Sequence, residues 1–468
     1  MTGISRKLSI AIAAASLGIG GAATAQTFST LYQFGAVPDG QAPRGMLAQG
    51  RDGSLLGTTL NGGASNEGAV FSLGLDGKEG VLASFADSSG GIHCNSGIVI
   101  GTDGNFYGAC PDGSAPNNFG TVFEYAGATG LFTLHSFDGT DGQLPDLGDP
   151  VQGSDGRFYG VTEAGGVNNA GTAFAVGADG SVSVLYNFGG SKGDASGPSG
   201  PLMLSSDGNF YGTTMSGGAA GAGTVFSMTP TGQLTILHSF ATSKKDGSGP
   251  SGGVVQDKSG TLYGVTFGGG ANNLGTVYAL STKGKNKTLH DFSTSDVAWY
   301  PCDSLALATD RNLYGGASTC IDGKCGTAAV FEVTTKGQFK VLHTLDPATE
   351  GTKISGPLLL DTNGTFYGTT EQGGSSGNGT VFSLNTGLAP FASLSPSSGA
   401  EGATIGIYGQ GFTQKGTKVS FAGTNAAFKE VTPNFLQAVV PSGAASGTVT
   451  VKTPGGKLKS LQTFTVSR

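Results

Sequence analysis

The chain has 468 residues, of which 85 are glycine, and carries 12% charged residues, a net charge of −7 and a pI near 5.2. The acidic balance, with no run of lysine or arginine, argues against a nucleic-acid partner. A glycine-rich disordered tract is also excluded: 37% of residues are hydrophobic, with 27 Phe and 12 Tyr, so a core can be built.

At the N-terminus, Arg6 and Lys7 precede the apolar run LSIAIAAASLGIG (8–20), which is too short to span a bilayer. Small residues at Ala23 and Ala25 predict an export signal over 1–25, cleaved before Gln26. No cysteine follows the run to take a lipid anchor, and no later segment is apolar enough for a membrane helix. The mature protein is therefore expected to be secreted, periplasmic or at the cell surface, where most of its five cysteines pair.

From residue 27 onward one pattern recurs. Aligned on the glycine after tyrosine or its substitute, the copies fall at Gly57, Gly108, Gly160, Gly212, Gly264, Gly315 and Gly368, spaced 51 to 53 residues apart. Each holds four short strands with turn signals between them, as in GPLMLSS, NFYGTT, GTVFSM and LTILHSF. A period near fifty with four strands points to a propeller blade. Adjacent apolar residues in NFY and TVF agree, since a blade packed between two neighbours has no wet face. The closing element LxxF occurs first at Leu31–Phe34, before any complete repeat, and the seventh repeat lacks one. TFSTLYQF (27–34) is therefore predicted to supply the fourth strand of the last blade, closing a seven-bladed β-propeller over 26–388.

The repeat GPLLLDTNGTFYGTTEQGGSSGNGTVFSL (356–384), with its LHSF element, resembles the Gloeo/Verruco (GloVer) tandem repeat of exported bacterial proteins. The resemblance implies an exported or surface protein and supplies no catalytic residue. Repeat six departs from it with CIDGKCGTAAVF, and repeat two has Ala109-Cys110 in place of Thr-Thr. Residues 389–468 change rhythm to alternating strands such as TIGIYG, KVSFAG and TVTVKT, divided by Gly, Pro and Ser turns. With SPSSGAEG and IYGQGF they resemble an IPT/TIG immunoglobulin-like β-sandwich, so the whole chain is expected to be all-β.

Several residues are candidates for chemistry. The Gly-rich links lead into strands with no following Lys-Ser or Lys-Thr, so they read as architecture rather than phosphate loops. His135, His238, His290 and His343 share one position on the outermost strand, spread around the rim, and cannot converge on one metal. The recurring Asp52, Asp103, Asp155, Asp207 and Asp310 suit tight Asp-Gly turns. Glu163 and Glu371 interrupt an otherwise mostly apolar repeat position and are the weak candidates for a catalytic carboxylate pair, although repeats three and seven lie nearly across the ring. Cys94 and Cys110 flank a hairpin and are predicted to form a disulfide; Cys320 and Cys325 flank a second tip, with Cys302 as the competing partner. No metal or cofactor is expected.

The Gly-rich links and inter-blade segments emerge on one face, where recognition on a rigid scaffold usually lives. On that face lie Trp299, the single tryptophan, and Tyr300: either a sugar-stacking site, or a plug for the seam between blades six and seven. The expected function is non-catalytic recognition or scaffolding toward an envelope or extracellular polysaccharide or protein. The alternatives are an extracellular carbohydrate-active enzyme using acids at the channel mouth, or a plain structural spacer.

Overall fold

The computed structural model describes residues 26–467 apart from 87–90, 114–116, 146–148, 242–245 and 322–323, so the export signal expected over 1–25 lies outside the described residues. Seven antiparallel sheets follow one another along the chain. In blade 1 the order from the axis outward is Gly40–Gln49, Leu55–Gly62, Ala69–Leu73 and Glu79–Ser84. Blade 4 is built alike, except that its inner strand is split into Ala195–Pro198 and Met203–Leu204. The only helical turn among the described residues is Gly127–Thr129.

The doubled apolar residues explain how blades stack. In blade 4, Phe210 and Phe226 join a buried cluster with Tyr159 and Val161 of blade 3, while Tyr211 and Val225 join one with Leu262 and Tyr278 of blade 5. Both faces of the sheet are thus core, and each fully buried phenylalanine contributes on the order of 2–3 kcal/mol. The turn aspartates serve two roles at once. Asp207 accepts the backbone N–H of Asn209 (2.9 Å) on one oxygen and the Tyr211 hydroxyl (2.7 Å) on the other, and Asp103, Asp155 and Asp310 repeat both contacts.

One glycine class explains the link chemistry. Gly223, at φ +96°, precedes the third strand of blade 4, and a Cβ there would stand 2.5 Å from the ring of Pro250 in blade 5. The same Gly–Pro contact joins Gly171 to Pro198 and Gly379 to Pro43, so these glycines are seats for the next blade's proline.

Ring closure follows the expected route. Thr27–Gln33 pairs antiparallel with Thr380–Asn385, from Thr27 opposite Asn385 to Gln33 opposite Thr380. Phe28 stacks on His343 of blade 6 at 3.9 Å between ring centroids, and Tyr367 and Val381 of blade 7 share a buried cluster with Leu47, Leu55 and Phe71 of blade 1.

The rim histidines are latches. His135 meets Asp141 (2.7 Å), His238 meets Asp246 (3.2 Å), His290 meets Asp296 (3.2 Å) and His343 meets Glu350 (2.8 Å). Tyr32 and Tyr186 make the equivalent contact to Asp39 and Asp194, at 3.0 and 2.8 Å. In each latch the same acid also accepts a backbone N–H from just past the outer strand, such as that of Ala241 on Asp246.

The C-terminal segment forms a sandwich. One sheet is Ser393–Ser395, Thr404–Tyr408, Phe435–Val439 and Phe428–Thr432; the other is Thr424–Ala426, Lys418–Phe421, Val449–Thr453 and Gly456–Lys459. Ile405, Ile407, Leu436, Val449 and Val451 lie in its core. It docks on the short-turn face of the ring. Gln410 donates to the Thr362 hydroxyl of blade 7 (3.0 Å), Thr432 donates to the Arg51 carbonyl of blade 1, and the Arg51 guanidinium sits 4.6 Å from the Phe435 ring centroid.

Candidate ligand-binding face

With one face carrying the sandwich, the Gly-rich links lie on the other. Two repeat positions there ring the axis. The residue after the second strand's Thr-Thr, or its substitute, is Leu60, Pro111, Glu163, Met215, Phe267, Ser318 and Glu371 in turn. The residue before the inner-strand proline is Ala42, Leu144, Gly197, Gly249 and Tyr300 in five blades, and all five have positive φ, between +53 and +64°.

Tyr300 therefore adopts, at φ +64°, a conformation that two other blades assign to glycine, at an ordinary cost of about 1–3 kcal/mol. Its ring stacks on Phe267 of blade 5, with centroids 4.7 Å apart and planes 14° from parallel. Phe267 is 50% exposed and Met215 of blade 4 is 41% exposed, so an aromatic and apolar ledge faces solvent across blades 4 to 6. Trp299 behaves differently. It is half-buried and packs against the buried cluster that holds Tyr263 and Val277 of blade 5 and Leu305 and Phe331 of blade 6. The plug thus fills the seam between blades five and six, not six and seven, because residue 299 precedes the inner strand Pro301–Leu307 of blade 6.

The two glutamates do not act alike. Glu371 is 8% exposed, and one of its oxygens accepts from Arg44 Nε (2.8 Å) and Lys353 Nζ (2.6 Å). Burial pushes its carboxyl up, but the two cations outweigh that and hold it below the usual glutamate value. Glu163 is half-buried, and its backbone N–H donates to the Leu144 carbonyl (3.0 Å).

Two aspartates overlooked in the repeat pattern lie at the axis. Asp303, at φ +62°, stands where blades 1, 4, 5 and 7 have Gly45, Gly200, Gly252 and Gly356, all left-handed. At Gly45, Gly200, Gly252 and Gly356 a Cβ would meet the backbone of the next inner strand within 2.4 Å, so only glycine suits that close approach. The Asp303 carboxylate instead accepts the Gly356 N–H (2.8 Å), and Asp149 accepts that of Gly97. Burial pushes Asp149 up to about 7, with the Asp303 charge adding to it and the Gly97 bond opposing. Burial also raises Asp303, against the Gly356 bond and the charges of Arg44 and Lys353. The departure of PCDS (301–304) from the Ser-Gly-Pro pattern was the available sequence signal.

Cys94 is joined to Cys110 and Cys320 to Cys325, with Cα separations of 4.1 and 4.0 Å. The second bridge straps the hairpin of Leu313–Ile321 and Lys324–Val333, which replaces the Gly-Gly link in blade 6. Among the described residues no group of three His, Cys, Asp or Glu is placed to hold a metal ion, and no helix is long and apolar enough to cross a membrane.

Fold and site together define a β-propeller carrying an immunoglobulin-like sandwich on one face and the Gly-rich links on the other. The profile of the Gloeobacter/Verrucomicrobia repeat matches residues 22–205, 134–328 and 197–427, and that of the IPT/TIG domain matches 391–466. The chain belongs to the Gloeobacter/Verrucomicrobia repeat family and ends in an IPT/TIG domain. No curated protein matches it. Among solved structures it is similar to a gluconolactonase from Xanthomonas campestris, at 13% identity and a TM-score of 0.39, covering 68% of this chain and 91% of that one. It is also similar to the periplasmic gluconolactonase of Pseudomonas aeruginosa, at 16% identity and a TM-score of 0.41, covering 73% and 95%. A Bacteroides thetaiotaomicron protein of unknown function matches at 15% identity and a TM-score of 0.42, covering 77% and 76%.

Proposed function

We propose that this is an exported, non-catalytic recognition or scaffold protein that binds envelope or extracellular polysaccharide through the loop face of its propeller. The observation that carries the reading is the half-exposed Phe267 stacked on the half-buried Tyr300, whose backbone is held at positive φ at a cost. Such a ledge matches the apolar face of a pyranose ring, and the blades beneath it keep it rigid. The two disulfides suit an oxidising compartment.

The test is to incubate the protein with a panel of polysaccharides and follow both retention and the appearance of reducing ends. Retention without release, lost in Tyr300→Ala while the fold survives, is the expected result. Trp299→Ala should lower stability instead of binding alone. Release of reducing ends that disappears in Asp149→Asn, Glu163→Gln or Glu371→Gln would assign catalysis to the acids of the loop face and overturn the binding-only reading.

A further inference from the structure

The salt-bridge cluster beside the aromatic ledge names a class of saccharide, an inference that rests on the polysaccharide reading above. Ring closure brings Arg44 of blade 1 and Lys353 and Glu371 of blade 7 together across 327 residues of sequence. The anion of the trio is inside and the cations look outward: the Glu371 side chain is 9% exposed, those of Arg44 and Lys353 28% and 29%. Two cations share one carboxylate oxygen, leaving an excess positive charge within the trio.

The guanidinium is only partly engaged. Arg44 uses Nε on Glu371, and its two terminal nitrogens have no acceptor among the described residues. Those nitrogens form the flat donor fork that matches a carboxylate. The cluster also adjoins the ledge. Lys353 holds in blade 7 the repeat position that Tyr300 holds in blade 6, and Asp303, three residues beyond Tyr300, feels the charges of both Arg44 and Lys353.

We propose that Arg44 and Lys353 bind the carboxylate of a uronic acid, so that the ligand is an acidic polysaccharide with a sugar ring stacked on the outward face of Phe267. Glu371 positions the two cations and does not touch the ligand.

The experiment compares polygalacturonate, alginate and hyaluronan, each against its own carboxyl-reduced, neutral form, by titration calorimetry on the full mature chain. At least one acidic polymer should bind about tenfold or more tighter than its reduced form. Arg44→Gln should erase that preference while leaving the weaker binding of the reduced form. Glu371→Gln should strengthen acidic binding, because the cations lose their internal partner; a purely structural trio would make both substitutions weaken it. Lys353→Gln is the second variant should Arg44→Gln fail to fold, and should reduce the preference. Equal binding of each pair overturns this inference and leaves polysaccharide recognition standing, as does weaker acidic binding in Glu371→Gln. If none of the six polymers binds and the wider panel is also negative, the recognition reading itself falls.

Discussion

Asp149→Asn tests whether a charge is held at the ring axis against its own solvation. The folded-state value of about 7 lies above the usual 3.8, so the folded protein keeps a proton that the unfolded chain has released. The stability linked to that proton is complete below pH ~4 and lost as pH rises through ~7. That interval is worth at most about 4 kcal/mol. The side chain is half-buried rather than sealed, so solvent screening reduces the cost to about 1–2 kcal/mol at pH 8. Asparagine keeps an oxygen for the Gly97 N–H and carries no charge. The variant should therefore match the native protein at pH 3.5 in urea unfolding, exceed it by about 1–2 kcal/mol at pH 8 and show the flatter profile between. An Asn variant whose advantage is the same at both pH values, or that is less stable at pH 8 than at pH 3.5 by the native margin, refutes the reasoning.

Three further outcomes are expected. Tyr278 is buried with its hydroxyl unpartnered among the described residues, where the other six blades have phenylalanine, so Tyr278→Phe should raise stability by about 1 kcal/mol in urea unfolding. Arg51 joins three pieces: its guanidinium donates to the Gly101 and Thr102 carbonyls (3.1 Å each) and lies over Phe435. Arg51→Ala should weaken docking of the sandwich by about 1–2 kcal/mol and increase the radius of gyration measured by X-ray scattering. Phe28→Ala removes the ring that stacks on His343 and touches Phe382 at 5.1 Å. It should cost about 2–3 kcal/mol and speed hydrogen exchange in Thr380–Asn385 ahead of the other blades.

The scaffold was legible because each repeat states it again. Seven copies of the turn, the doubled apolar strands and the Gly-rich link average out local ambiguity, and the surplus LxxF element before the first repeat disclosed ring closure. Cys94–Cys110 followed from hairpin geometry alone. The site was less legible, because it consists of departures from the repeat. Glu371 stood out as a carboxylate at a mostly apolar position, yet Arg44 and Lys353 did not, since only closure brings blades 1 and 7 together. Asp303 replaces a glycine whose role, close approach of neighbouring inner strands, appears only once the strands are in place. The acids that latch the rim histidines lie six to eight residues downstream at varying spacing, which hid their common role. Trp299 was placed one seam too far along because inter-blade segments belong to the blade they enter.

The pairing of Thr27 with Asn385 sets the timetable of folding. The strand made first is the one used last: as the chain emerges, blades 1 to 6 can each assemble from neighbouring sequence, while Thr27–Gln33 waits for a partner more than three hundred residues away. Until Thr380–Asn385 arrives, the sheet edge it will cover does not exist, and the waiting strand is free to pair wrongly. A half-made chain therefore has no closed form to mature into, and a protein shortened by even its last blade would lose the fastener for all the others.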